Sequence, residues 1–376
     1  MSHNPNMHPL VLPAAAVALA LGMAGCSEAK HPDTNPTPSS TTEAPAPIEA
    51  PQSPIKDIDR ATSAGKILLA AIPKGSENHD IFVHDLTTGK NTNLTNTPDA
   101  DELNPKLSPD KKQVAITGNA TGNYQIYRFP LNSPTEMTQL THSDARNDDP
   151  TWVHAGPKAT DVEIAYKTSA AGWGDYIQID QHGGNPRNLT GKHMGATEEW
   201  AGTEVPDADG NYKFVMTTRH ADDHTVSDEV VKDSSNLAMI DLAQKNAQPR
   251  ILTDDTNDLG ASWYPQPDAK HPGKVTFTFT PENKLTGNDV IKELDTNNAK
   301  LGKMPEVTTV MAIKGADVDD ATTIDGTLFA VSDMDNGYQL VGKAGDQIVH
   351  IPTDGLSDVL SPAGAGTSVK LSVNRN

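Results

Sequence analysis

Cysteine is almost missing from this sequence: Cys26 is the only one among 376 residues. Intrachain disulfides and a cysteine-built zinc cluster are therefore excluded. Aromatic residues are scarce, at 5%. No long stretch carries a helical period of apolar residues, so a helical bundle is not expected. Basic charge is short as well: 30 Lys and Arg stand against 50 Asp and Glu, a formal net charge of −20. Such a surface repels phosphate backbones, which rules against nucleic acid as a partner, and it gives no electrostatic pull toward anionic lipid. Catalytic signatures are missing too. There is no G-x-S-x-G elbow, no cysteine nucleophile placed for catalysis, no H-E-x-x-H pair and no P-loop. The one long apolar run, residues 10–25, is too short for a confident membrane span.

What is present begins with that run. LVLPAAAVALALGMAG has the length of a signal-peptide h-region and ends in small residues just before Cys26. Met23-Ala24-Gly25-Cys26 resembles a bacterial lipoprotein lipobox. The resemblance implies that residues 1–25 are removed, that the Cys26 thiol receives a diacylglycerol, and that the protein sits outside the cytoplasm on the bacterial cell membrane. Two features depart from the pattern: Met23 replaces the usual Leu, and the first residues carry no Lys or Arg. A secreted protein with an unmodified cysteine is the alternative. Residues 26–60 read as a tether, with seven prolines between positions 27 and 60. Fully extended it spans about 100 Å, and as a flexible coil about 30 Å.

Residues 61–376 read as one repeat domain. Apolar strands recur at Lys66–Ala71, Gln113–Thr117, Glu163–Thr168, Lys213–Thr218, Lys274–Phe279, Thr327–Ser332 and Ser368–Val373. Their spacing, about 41–61 residues, suits a four-stranded propeller blade. Turn sequences such as SPDKK (108–112), PDADGN (206–211) and IDG (324–326) precede them, and such turns need fixed and then positive φ. Leu94-Thr95, Leu140-Thr141, Leu189-Thr190 and Leu252-Thr253 each follow a strand and precede an acidic loop. The unit, clearest at residues 93–129, resembles the TolB-type, WD40-like propeller repeat. The resemblance implies an all-β ring of four-stranded antiparallel blades around a tunnel, closed by pairing of the N- and C-terminal strands, and it implies a place in envelope protein complexes. Six blades closed near Asp358 to Leu360 is the first choice, and seven blades using Ser368 to Val373 is the alternative.

The acidic loops are the first candidate site. Asp101, Glu102, Asp148, Asp149, Glu198, Glu199, Asp258, Asp319, Asp320 and Asp358 fall at matching places before the expected inner strands. A ring gathers such carboxylates near one tunnel mouth, where crowding calls for a cation, a basic ligand or raised pKa values. Oxygen ligands suit a hard divalent cation such as calcium; turn capping is the plain alternative for any one of them. His220, Asp222, Asp223 and His224 form a second, zinc-capable set, with a solvated hairpin tip as its alternative. Trp152, Trp200 and Trp263 read as blade packing. The expected function is an envelope binding or scaffold module, monomeric, with a protein or peptide partner. The competing reading is a metal-dependent lyase or hydrolase of envelope or extracellular glycans, with ligands drawn from histidines such as His142, His154 and His271.

Overall fold

The structure is a computed structural model that describes residues 55–155, 161–170, 175–190, 197–220, 235–241, 250–253, 260–268, 270–281, 288–299, 305–334 and 337–373; of 197–200, 219–220, 235 and 260–263 it describes the backbone only. The second, third and fourth strands of a blade follow its inner strand by antiparallel pairing, and six such sheets are present. The inner strands are Leu356–Gly364 (blade 1), Glu102–Leu107 (blade 2), Asn147–His154 (blade 3), Thr197–Pro206 (blade 4), Gly260–Pro267 (blade 5) and Val318–Ile324 (blade 6). Each touches the next, and the sixth touches the first, so they line a closed ring.

The apolar runs seen in the sequence are the second strands, and both of their faces are buried. In Lys66–Pro73, Ile67, Leu69 and Ala71 pack toward blade 6 while Leu68 and Ala70 pack toward blade 2. In Gln113–Gly118, Val114 and Ile116 face blade 1 and Ala115 faces blade 3. Successive side chains leave a strand on opposite faces, so a radial blade needs apolar residues at consecutive positions. The core is accordingly six clusters, one at each junction between blades. Trp152 is buried in one of them and its indole N–H donates to Lys106 O at 2.9 Å, which bears out the packing role expected for it.

The recurrent Leu-Thr has a backbone explanation. In blade 2 the Leu140 N–H donates to Ile126 O at 2.8 Å, and the Ile126 N–H donates back to Thr141 Oγ1 at 2.9 Å. The same reciprocal pair joins Leu94-Thr95 to Ile81, Leu189-Thr190 to Tyr176 and Leu252-Thr253 to Leu237. The short fourth strand thus ends in a side-chain oxygen that satisfies a buried N–H of the third. The SPDKK turn is held by Ser108, whose Oγ accepts from Gln113 N at 2.9 Å, with Lys111 at φ 63°.

Six blades are formed, as the first choice had it, and the closure is the expected one. Leu356–Gly364 pairs antiparallel with Lys66–Pro73, so the first blade takes its inner strand from the far end of the chain. Ser368 to Val373 builds no seventh blade: it makes isolated bridges, Lys370 to Ala64 and Val373 to Ile58. Lys56–Asp57, within the stretch read as tether, adds a parallel fifth strand to blade 6. Replacing Thr141 by Val is expected to leave the Ile126 N–H unpaired and to cost about 1–3 kcal/mol. Urea unfolding checks this, with the midpoint lowered and the slope unchanged.

Candidate functional site

Every inner strand carries a β-bulge at the same step, where two of its residues oppose one of the second strand. The first bulge residue has positive φ in all six: Ser361, Asn104, Asp149, Ala201, Tyr264 and Asp320. In four blades the next residue is proline (Pro362, Pro105, Pro150 and Pro265), which lacks the N–H that a regular ladder would use. The bulges turn polar side chains toward one another. Ser361 Oγ lies 2.9 Å from Asn104 Oδ1, and the Asn104 amide donates to Asp149 Oδ1 at 2.6 Å. Ser361 N–H donates to Asp320 Oδ2 at 2.6 Å. Blades 6, 1, 2 and 3 are thereby linked in sequence around the axis.

One bond crosses the ring. Lys106 of blade 2 donates from Nζ to Gln266 Oε1 of blade 5, on the opposite side, at 3.0 Å. Burial is the largest influence on this ammonium and draws it below the usual lysine value, against the pull of Asp320 and Asp149. Burial also dominates at Asp149 and, with the charge of Asp148, pushes its carboxyl up to about 7; Lys167 and Lys106 oppose it. The Tyr264 hydroxyl is raised above its ordinary value by burial first and then by Asp149 and Asp320. Tyr264 nevertheless keeps 40% of its surface accessible. That combination fits a side chain lining an internal lumen, enclosed by protein yet touched by solvent. Lys106, Tyr264, Asp149 and Asp320 thus come from four different blades and lie near enough to influence one another's protonation.

The other predicted carboxylates have partners of their own. His79 sits between Asp101 and Asp358, with Nδ1 3.2 Å from Asp101 Oδ1 and Nε2 3.1 Å from Asp358 Oδ2. Burial by itself would lower the imidazole, but the hydrogen bonds and charges of the two carboxylates outweigh it and raise it to about 9. Asp101 is held low, first by its hydrogen bond from His79. Its Oδ2 also lies 3.5 Å from the Tyr124 hydroxyl, and the Arg146 guanidinium stacks over the Tyr124 ring at 4.4 Å while pairing with Asp148. Glu102 is buried away from the opening; burial, opposed by hydrogen bonds from Thr97 and Thr95, brings it to about 7. Asp319 is raised to about 7 by burial and by Asp289, against a hydrogen bond from Tyr338.

The expectation of carboxylates in loops ahead of the inner strands is corrected in one respect: apart from Asp101, those described lie within the strands themselves, Asp148, Asp149, Asp319 and Asp320 at or beside the bulge and Glu102 and Asp358 nearer the strand start. Glu198 and Glu199 lie in the blade 4 inner strand, but their side chains fall outside the described residues, as does Asp258. Of the zinc-capable set, His220 ends a strand with its side chain undescribed, and Asp222, Asp223 and His224 lie outside the described residues, as do residues 1–54 with Cys26. Among the described residues no group of three or more His, Cys, Asp or Glu is arranged to hold a metal ion. His154 and His271 are instead paired with Glu204 and Asp268. Lys106, Tyr264, Gln266, Asn104, Ser361 and His79 were not among the expected site residues. A signal for several of them was present: Asn104, Asp149, Tyr264 and Ser361 each immediately precede a proline at the same step of the repeat.

The raised groups set a pH dependence. Asp149, Glu102 and Asp319 hold protons in the folded state that the unfolded chain gives up near 3.8 to 4.5, so stability falls as pH rises from there through about 7. His79 stabilises fully below 6.5, and its contribution is lost as pH rises through about 9. Asp101 has the opposite sign, and its contribution is lost as pH falls through its lowered value. Urea unfolding at stepped pH is expected to show greatest stability in mild acid. Asp149→Asn removes part of the decline below pH 7, and His79→Gln removes the decline above it. The His79 step is expected to be about 1–2 kcal/mol, discounted for the solvent that reaches the ring.

No family model matches the chain, and no curated protein matches it. Solved structures do. TolB from Acinetobacter baumannii is similar at TM-score 0.56 and 16% identity, over 80% of this chain and 66% of that one. Hydrazine synthase from Kuenenia stuttgartiensis is similar at TM-score 0.58 and 12% identity, over 81% of this chain and 47% of that one. A chain of a nidogen/laminin complex is similar at TM-score 0.53 and 15% identity, over 80% of this chain and 98% of that one. The chain therefore spans just under two thirds of the matched TolB and about half of the matched synthase chain. At such identities the likeness is one of architecture, and in architecture this chain is a TolB-like, six-bladed β-propeller.

Proposed function

We propose that the chain is a lipid-tethered, extracytoplasmic binding module that docks a basic segment of an envelope protein on the face where its inner strands begin. The observation that carries this reading is the charge of that face. Asp148, Asp149, Asp319, Asp320 and Asp358 all lie in the first turns of chain of three inner strands, and the loops leading into blades 2 and 3 add the exposed Asp99 and Asp144. His79, Arg146 and Lys106 offset part of it, and Asp149 and Asp319, raised to about 7, are partly neutral near that pH, so the exposed Asp99 and Asp144 count most. A rigid acidic face steers a basic partner and fixes its orientation more than it adds raw affinity. The matched chain of the nidogen/laminin complex supports the idea that a propeller of this architecture serves protein docking. The tether and Cys26 supply the attachment: one lipid chain binds a membrane only marginally, whereas the two chains of a diacylglycerol hold it stably. The docking unit is a monomer.

Titration calorimetry with an oligolysine peptide tests the docking. Binding is expected to weaken with salt and to fall about tenfold in the double reversal Asp99→Lys with Asp144→Lys, on-rate carrying most of the loss. Equal affinity in the reversed protein would refute it. For the anchor, Cys26→Ala is expected to move the protein from the membrane fraction to the soluble extracytoplasmic fraction.

A further inference from the structure

The axial groups differ from the outer carboxylates of the acidic face in that their bonds leave a particular set of polar atoms unused. Asn104 and Ser361 are engaged with each other and with Asp149 and Asp320. Asp149 has one oxygen engaged, with Asn104, and Asp320 has one engaged, with Ser361. Lys106 uses a single N–H, to Gln266. Among the described residues, the other carboxylate oxygens, the Tyr264 hydroxyl and two N–H groups of Lys106 have no hydrogen-bond partner in the protein. A half-buried ammonium that uses one of its three N–H groups leaves two donors to be met by water or a ligand. Tyr264 shares the positive φ of every bulge, and as a bulky aromatic it is the member of the six that adopts it least readily.

The unused atoms are of two kinds, donors on Lys106 and Tyr264 and acceptors on Asp149 and Asp320. A simple cation would satisfy the acceptors but leave Lys106 unpaired and bring a second positive charge beside it. A simple carboxylate would satisfy Lys106 but stand beside Asp320 and Asp149. A molecule with both charges a few bonds apart satisfies both sets. We propose that Lys106, Tyr264, Asp149 and Asp320 form an axial binding site for a small zwitterion of the α-amino-acid class, its ammonium on the two aspartates and its carboxylate on the lysine and the tyrosine. The site shares Asp149, Asp320 and Lys106 with the acidic face but not Asp99 and Asp144, the residues that the docking test reverses.

The groups facing Asp149 give the site a pH signature. Asp148 lies beside it on its own strand, Lys167 on the second strand of blade 3, and Lys106, Tyr264 and Asp320 face it from blades 2, 5 and 6. An arriving ammonium favours the charged carboxylate, so binding releases a proton and tightens as pH rises from 6 through about 7.

Calorimetry and thermal shift on the propeller with glycine and L-alanine test the proposal, with methylammonium chloride and sodium acetate as single-charge controls. The amino acids are expected to bind with millimolar or better affinity and both controls about tenfold or more weakly, as the loss of a charged hydrogen-bonding group predicts. Asp320→Asn and Lys106→Met are expected to weaken the amino acids about tenfold, and Tyr264→Phe about threefold, with circular dichroism confirming the fold. Should Lys106→Met fail to fold, Tyr264→Phe decides, since it removes one oxygen only. Binding of methylammonium or acetate as tight as that of the amino acids overturns the proposal. So does the absence of any heat or melting shift with either amino acid, or undiminished affinity in Tyr264→Phe. The reversal at Asp99 and Asp144 is expected to leave this binding unchanged, which keeps its failure distinct from that of the docking face.

Discussion

The pairing of Leu356–Gly364 with Lys66–Pro73 holds the two ends of the propeller together, and the axial site depends on it directly. Five blades are each made from one continuous stretch of chain apart from the short added strand of blade 6; the first is not. The closing strand brings more than hydrogen bonds. Its Ser361 joins Asp320 of blade 6 to Asn104 of blade 2, and its Asp358 receives His79 from the loop before the third strand of blade 1. Closure of the ring and assembly of the polar centre are therefore one event. A second layer reinforces it: residues 58–64 and 370–373 bridge one another on the outside of the same junction, with Ile58, Val369, Leu371 and Val373 packed into its apolar cluster.

Within the closed ring, the bulges set the balance between stability and use. A regular inner strand would satisfy its ladder and turn its side chains into the junctions between blades. An extra residue in each strand, and a second at Asp358 in the closing strand, placed at positive φ, gives up a ladder position and some backbone energy. Asn and Asp at such positions tolerate the left-handed region well. Ser361, Ala201 and Tyr264 tolerate it less well, and Tyr264 is the member that carries an aromatic side chain toward the ring. The same economy appears in the charges. Asp101, Asp358 and Asp148 are matched by His79 and Arg146, whereas the carboxyl of Asp149 is held partly neutral near pH 7 by its surroundings. Perturbed groups thus concentrate where several blades meet, which is where a propeller offers a site built from distant parts of its chain.

Much of the architecture was legible because it is repeated and local. Consecutive apolar residues at 67–71, 114–116 and 328–331 marked strands buried on both faces, and turns such as SPDKK marked where those strands begin. The Leu-Thr pairs marked the ends of the blades, and their role follows from a bond pattern between neighbouring strands. Six blades rather than seven was less legible. Ser368 to Val373 alternates like a strand, and only the pairing of Leu356–Gly364 shows that the inner position of blade 1 is already taken.

Of the site, the sequence by itself determined which carboxylates recur and that a ring would bring their strands to one axis. Recurrence is a property of spacing, and spacing is written in the chain. It did not determine which of them are paired. His79 is separated by 22 residues from Asp101 and by 279 from Asp358, and Lys106 by 160 from Gln266. No local pattern encodes contacts of that kind. Nor does composition distinguish Tyr264 from an ordinary packing aromatic. The tertiary structure decided these points, because the bulge sets the direction of each inner-strand side chain and the closed ring sets what lies across from it.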